Sequence, residues 1–163
     1  MTTPPTGEER SRRIEQYASA PKRFREALGD VPLEALKWRP EPGEFSVHEI
    51  VCHCADSETN AYSRIRYLLA EEKPVIVGYD PDVWAREFDY ENHPLDAALA
   101  TVEAVRANTV PIIHRLPDEA WAKEGTHTES GRYTAADWLR IYSEHLEEHI
   151  GQINRTVDAW RSR

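Results

Sequence analysis

The sequence predicts an all-α fold, a four-helix bundle with long connections between its helices. Three observations predict it. Four stretches of roughly 20–26 residues repeat apolar positions at the helical period. Prolines cluster between those stretches rather than spreading evenly. Only one short β-like run occurs, residues 75–77, and no second strand is evident to pair with it. Four amphipathic helices of matched length bury their stripes most simply against one another. A chain of 163 residues is the size of one domain. Residues 1–7 are Thr/Pro-rich and expected to fray, and residues 8–163 form the single bundle domain.

The first helix is expected over residues 8–28, with Ile14, Tyr17, Ala18, Phe24, Ala27 and Leu28 on its apolar face. Pro21 should kink or divide it. Pro32, Pro40 and Pro42 then forbid a long helix. The second helix has the clearest start. Ser46-Val47-His48-Glu49 reads as a capping box, with Phe45 before it as a hydrophobic staple. Its apolar positions (Val47, Ile50, Val51, Cys54, Ala61, Ile65, Leu68, Leu69) continue to about residue 71, where Lys73-Pro74 stops it. Residues 74–93 read as irregular, with Val75, Ile76 and Val77 in a loop. Trp84, Phe88 and Tyr90 are expected to cover one end of the core, on a short helical turn. The third helix starts with Pro94 at its first position, runs to about residue 115 and bends at Pro111. Residues 118–121 add one turn. Residues 125–132, GTHTESGR, read as a loop by composition. Thr134 and Asp137 signal the start of the last helix, residues 135–160.

Charge and composition exclude several classes of function. Twenty Lys+Arg against 29 Asp+Glu leave a net charge of −9. Such a chain repels phosphate backbones, so no nucleic-acid partner is expected. No apolar run approaches the ~18 residues of a membrane span, and the mean hydropathy is −0.69. The N-terminus lacks the apolar core of a signal peptide, so a cytoplasmic protein is expected. The two cysteines, Cys52 and Cys54, are no disulfide framework. On one helix they point to nearly opposite sides and cannot bridge.

Seven histidines are the generous supply. His145 and His149, spaced i and i+4, sit one above the other on a helix face, as two imidazoles must to reach one metal. Spacing alone is weak, because seven scattered histidines give about 0.3 such pairs by chance. The surroundings add to it. Trp138, Ile141 and Tyr142 precede the pair and Ile153 and Val157 follow, all on the apolar stripe. Each buried imidazole must satisfy two ring nitrogens. A shared metal would do so, as would hydrogen bonds between two core histidines and their neighbours.

A metal needs a further ligand from another helix, and the candidates are His53 and His114. His48 is expected to be exposed, and His93 and His127 lie in predicted loops. His53 is preferred because its helix also carries Asp56, Ser57, Glu58 and Asn60 at inward or flanking positions. Cys52, His53 and Cys54 cannot converge on one ion, since successive helical residues are about 100° apart. Candidate supporting or substrate-binding residues are Ser57, Arg64, Tyr142 and Gln152. Arg64 could hold a substrate carboxylate or simply be solvated. Tyr142 could offer a hydroxyl, and Gln152 could orient a ligand. Glu144, Glu147 and Glu148 read as a solvated face.

The stretch RPEPGEFSVHEIVCHCADSE, followed far downstream by YSEHLEEHIGQI, resembles the DinB-like/YfiT-like superfamily of bacterial proteins. The match comprises a Pro-Gly-x-aromatic-Ser capping segment (Pro42 to Ser46), one histidine on the second helix and a His-x-x-x-His pair on the last. Cys54 departs from the pattern, standing where an aliphatic residue is common. The resemblance implies a divalent metal, zinc or nickel, on His53, His145 and His149. It implies dimers and, in some members, S-transferases that use the thiols bacillithiol or mycothiol.

The expected function is therefore a metal-dependent transferase. A low-molecular-weight thiol, activated at a three-histidine site, attacks a small electrophile, and the protein is a homodimer. The alternatives are a hydrolase using metal-bound hydroxide, with Glu58, Asp56 or Glu148 as base, and a non-catalytic metal-binding or dimerisation module.

Overall fold

The computed structural model describes residues 6–163. Among them are the helices α1 (Gly7–Gly29), α2 (Val47–Ala70), α3 (Pro81–Glu87), α4 (Leu95–His114) and α5 (Ala135–Arg161). Three short strands join them: β1 (Val75–Ile76), β2 (Glu124–His127) and β3 (Gly131–Thr134). The all-α expectation holds for the architecture, and the strands form a minor sheet at one end.

Helix α1 starts a residue earlier than expected, because the Thr6 side chain accepts from the Glu9 N–H and caps it. The rest of the expected frayed segment, residues 1–5, lies outside the described residues. Pro21 does not divide α1. Proline has no N–H to give the carbonyl four residues back, which is that of Tyr17. That carbonyl instead accepts from Arg106 Nη1 of α4 at 2.8 Å.

Helix α2 has its capping box: Ser46 Oγ accepts from the Glu49 N–H, and Glu49 accepts from the Ser46 N–H. Arg39 also donates to Glu49, at 2.5 Å. His48 is buried rather than exposed, with Nε2 2.7 Å from the His93 carbonyl. The loop before α4 folds back over the start of α2 there. Of the three aromatics on that segment, Tyr90 is buried and Trp84 half-buried, but Phe88 is 53% exposed and does not cover the core. Pro94 is the N-cap of α4 rather than its first residue. Asp118–Ala122 forms the expected extra turn, as a 3₁₀ helix.

Residues 75–77 and 125–132 were both expected to be loops, and the structure corrects both. Strand β1 pairs with β2 in parallel, and β2 pairs with β3 antiparallel. The pairing is tight: a Cβ on Gly125 would lie 2.5 Å from the Pro74 carbonyl oxygen. Ile76 and Tyr133 point into the core. Thr134 ends β3 and caps α5, sharing a second capping box with Asp137.

Helices α1 and α2 each pack chiefly against α4 and α5, so α1 and α2 stand diagonally across the bundle. The long connection before α2 makes that crossover. Two apolar clusters fill the interior. One centres on Phe24, Ile50, Cys54, Val102, Leu146 and Ile153. The other centres on Tyr17, Ile65, Ile113, Trp138 and Leu139. Along α2 and α4 the division between them falls at Glu58 and Arg106, both fully buried. Among the described residues no helix is long and apolar enough to cross a membrane.

Candidate metal centre

The Ser46 cap sets the start of α2 and places His53 two turns in. Its half-buried ring faces those of His145 and His149 on α5. One potential ligand atom from each of the three lies within 4.8 Å of the others. The ring centroids are 4.7 Å apart for His145 and His149, 4.9 Å for His53 and His149, and 5.9 Å for His53 and His145.

The outer nitrogens of the α5 pair are anchored. His145 Nδ1 lies 2.8 Å from Glu58 Oε1, and His149 Nδ1 lies 2.8 Å from Gln152 Oε1. An oxygen acceptor requires a proton at Nδ1, which in the neutral imidazole leaves the Nε2 lone pair free. His53 Nδ1 is buried and has no partner among the described residues, an arrangement that costs free energy unless something else binds there. Burial, and then the two neighbouring imidazoles, push the pKa of His53 down to about 3. Burial, and then His145, push that of His149 down to about 4. Both are neutral at physiological pH, as metal ligands must be. The donor set therefore fits a divalent metal cation.

Glu58 is ionised although wholly buried. Burial pushes its pKa up, but the Arg106 charge and the hydrogen bonds from His145 and Arg106 outweigh it and hold the carboxyl down to about 2. Arg106 grips it in a bidentate fork, Nε to Oε2 at 2.8 Å and Nη2 to Oε1 at 2.7 Å. The same guanidinium donates to the Tyr17 and Tyr142 carbonyls, both at 2.8 Å.

Phe45 stands over His53, with ring centroids 5.8 Å apart. Tyr142 stands beside His145 at 5.7 Å, and its hydroxyl accepts from Arg64 Nη1 at 3.0 Å. Ser57, one turn beyond His53, is buried. A cleft of about 560 Å³ opens at Phe45, Gln152, Arg155 and Thr156.

The histidine trio thus comes together, with Gln152 and Tyr142 against it. The other histidines lie elsewhere. His114 faces Glu15 at 3.7 Å on the surface, and His127 sits on β2 with Nδ1 accepting from the Glu129 N–H. Cys52 and Cys54 are buried, free thiols. Burial pushes the Cys52 pKa up to about 12 and that of Cys54 well above normal, so neither is a nucleophile. None of the three candidate bases stands free beside the cluster. Glu58 is held by Arg106 and His145, Asp56 accepts from the Tyr90 hydroxyl, and Glu148 is exposed. Sequence reasoning missed Arg106. One signal could have found it: Val102, Arg106, Thr109 and Ile113 keep helical spacing along the buried face of α4.

These features define a class of protein, a helical bundle whose middle holds three imidazoles converging on one point. The family model of the DinB superfamily matches residues 16–153, and the chain belongs to that superfamily. The solved structure of YfiT from Bacillus subtilis is described provisionally as a metal-dependent hydrolase with an unusual four-helix bundle topology. It superposes with a TM-score of 0.88 at 23% identity, over 96% of this chain and 90% of that one, which shows the shared fold. A protein of Oceanobacillus iheyensis is 29% identical over 140 residues, 86% of this chain and 81% of its own. One of Bacillus cereus (strain 03BB102) is 27% identical over 140 residues, 86% of this chain and 80% of its own. Both carry the provisional name metal-dependent hydrolase.

Proposed function

We propose that His53, His145 and His149 bind one zinc or nickel ion and that the protein is a metal-dependent enzyme acting on small molecules, as a hydrolase. The observation that carries this reading is the convergence of three imidazoles, two of them anchored through Nδ1. The provisional names of the relatives support the hydrolytic form. When bound, such an ion supplies a Lewis acid with an open position, able to acidify a water or thiol and to polarise an electrophile. The chain's own residues prepare that position. Glu58 and Gln152 hold the Nδ1 protons of His145 and His149 and so fix both tautomers. Arg106 keeps Glu58 ionised. Phe45 and Tyr142 flank the cluster with apolar surface and restrict water there.

A second reading, transfer of a low-molecular-weight thiol to an electrophile, is favoured by the absence of a free protein base among the described residues at the cluster. A thiol is acidic enough to need none.

Elemental analysis of natively purified protein tests the shared premise, and one metal ion per chain is expected. Turnover of p-nitrophenyl acetate that is lost with chelator and indifferent to thiols marks the hydrolase. Consumption of chlorodinitrobenzene only with an added thiol marks the transferase. His145→Ala should lose the metal while keeping its helical circular dichroism. Full metal affinity in the His145→Ala/His149→Ala variant would overturn both readings.

A further inference from the structure

Arg64 lies three turns beyond His53 on the same helix. Its Nη1 donates to the Tyr142 hydroxyl at 3.0 Å and its Nη2 to the Val77 carbonyl at 2.9 Å. Both acceptors are neutral. Its Nε–H is buried and has no partner among the described residues. Beside it, Tyr133 of β3 is only 5% exposed, and its hydroxyl is likewise buried without a partner. The Arg64 charge is near enough to draw the Tyr133 pKa down against the larger upward push of burial. Tyr142 accepts from Arg64 and keeps its own hydroxyl proton to donate.

Arg66, also half-buried, likewise has only neutral acceptors, the Tyr62 carbonyl and the Thr109 hydroxyl, but other arginines of this protein are paired with carboxylates. Arg106 holds Glu58, Arg13 pairs with Glu9 and Glu144, Arg25 with Glu103, and Arg23 with Glu147. An acidic chain has carboxylates to spare, yet among the described residues none pairs with Arg64. A half-buried guanidinium left with neutral acceptors keeps its charge uncompensated, and removing that charge from water is unfavourable without an anion. Its planar fork matches a carboxylate. Tyr142 joins it to His145, whose ring is 5.7 Å from that of the tyrosine.

We propose that Arg64, with the hydroxyls of Tyr142 and Tyr133, forms a carboxylate subsite next to the histidine cluster, so that the substrate is a small organic acid. The acid docks on Arg64, and its reacting group reaches the three histidines. Anchoring a remote charge in this way orients the reacting end. The assignment rests on the metal-dependent reading for the reaction, but not for the binding.

The test is calorimetric titration of the full chain, both chelator-treated and metal-loaded, with propionate, succinate and the uncharged control succinamide. Saturable binding of both acids, but not of the diamide, is expected in both states. Arg64→Met should weaken acid binding about tenfold in both, the loss of a charge-assisted contact, while metal stoichiometry stays unchanged. Arg64→Lys, which keeps the charge without the fork, should retain part of the affinity. Tyr133→Phe should weaken it several-fold without altering metal binding. Two results overturn the subsite: no saturable acid binding in the chelator-treated protein, or undiminished binding in both Arg64 variants. Either leaves the metal reading standing. A protein that binds acids through Arg64 but takes up no metal overturns the metal reading alone.

Discussion

Arg106 serves four acceptors at once: two carboxylate oxygens of Glu58 and the carbonyls of Tyr17 and Tyr142. The Tyr17 carbonyl is the one that Pro21 leaves without a helical donor, so this side chain also repairs α1. Arg106→Met strands an ionised Glu58 in the core and should destabilise the protein by about 3–5 kcal/mol in urea unfolding. Glu58→Leu/Arg106→Met should recover part of that, since neither charge remains, but not the part due to the two orphaned carbonyls. In the same double variant His145 loses its Nδ1 partner, and metal affinity should fall about 10–100-fold by competition titration. Sequence and structure differ instructively here. The His145/His149 pair was legible from its i, i+4 spacing on an apolar stripe, and His53 was preferred for the polar residues that share its helix, all of them local signals. Glu58 was noticed as a polar residue at an inward or flanking position and as a candidate base, not as the partner of a buried arginine. Arg106 was overlooked because its meaning depends on a carboxylate 48 residues away.

At the scale of elements, the start of α2 determines where His53 points. Ser46→Ala removes one half of the capping box and should cost about 1 kcal/mol, seen as a lower urea midpoint. Because Glu49 is also held by Arg39, the helix should keep its register, and metal stoichiometry should be unchanged. The helices were legible from their periodicity and caps. The sheet was not. β1 has only two residues, and its partner lies about 50 positions downstream in a stretch whose Thr, Ser and Gly content reads as a turn. Parallel pairing of so short a strand leaves no local trace. His48 was misplaced for a similar reason: its burial depends on a loop 45 residues away folding back over it.

For the whole molecule, the cluster makes metal-free stability depend on pH. His53 and His149 have folded pKa values of about 3 and about 4, against an ordinary 6.5. Between those values the unfolded chain binds more protons than the folded one, so stability rises with pH. It should be complete above about pH 6.5 and decline as the pH falls toward 4 and then 3. His127, whose pKa burial also lowers, contributes with the same sign. Chelator-treated protein should therefore show a lower urea midpoint at pH 5 than at pH 7, and an unchanged midpoint would contradict the assignment of neutral, buried imidazoles. Bound metal should raise stability at both values by mass action.

The placement of the histidines on α2 and α5 also bears on biosynthesis. Glu58 and its partner His145 are separated by 87 residues of chain, so no short peptide of this protein contains a preformed cluster, unlike a zinc finger whose ligands are close in sequence. During translation the second helix emerges long before the last, and His53 waits without its companions. Metal uptake at this cluster would thus be an act of the finished chain. An ion bound there would enter a bundle already assembled around Glu58 and Arg106, rather than serve as the seed on which the bundle forms.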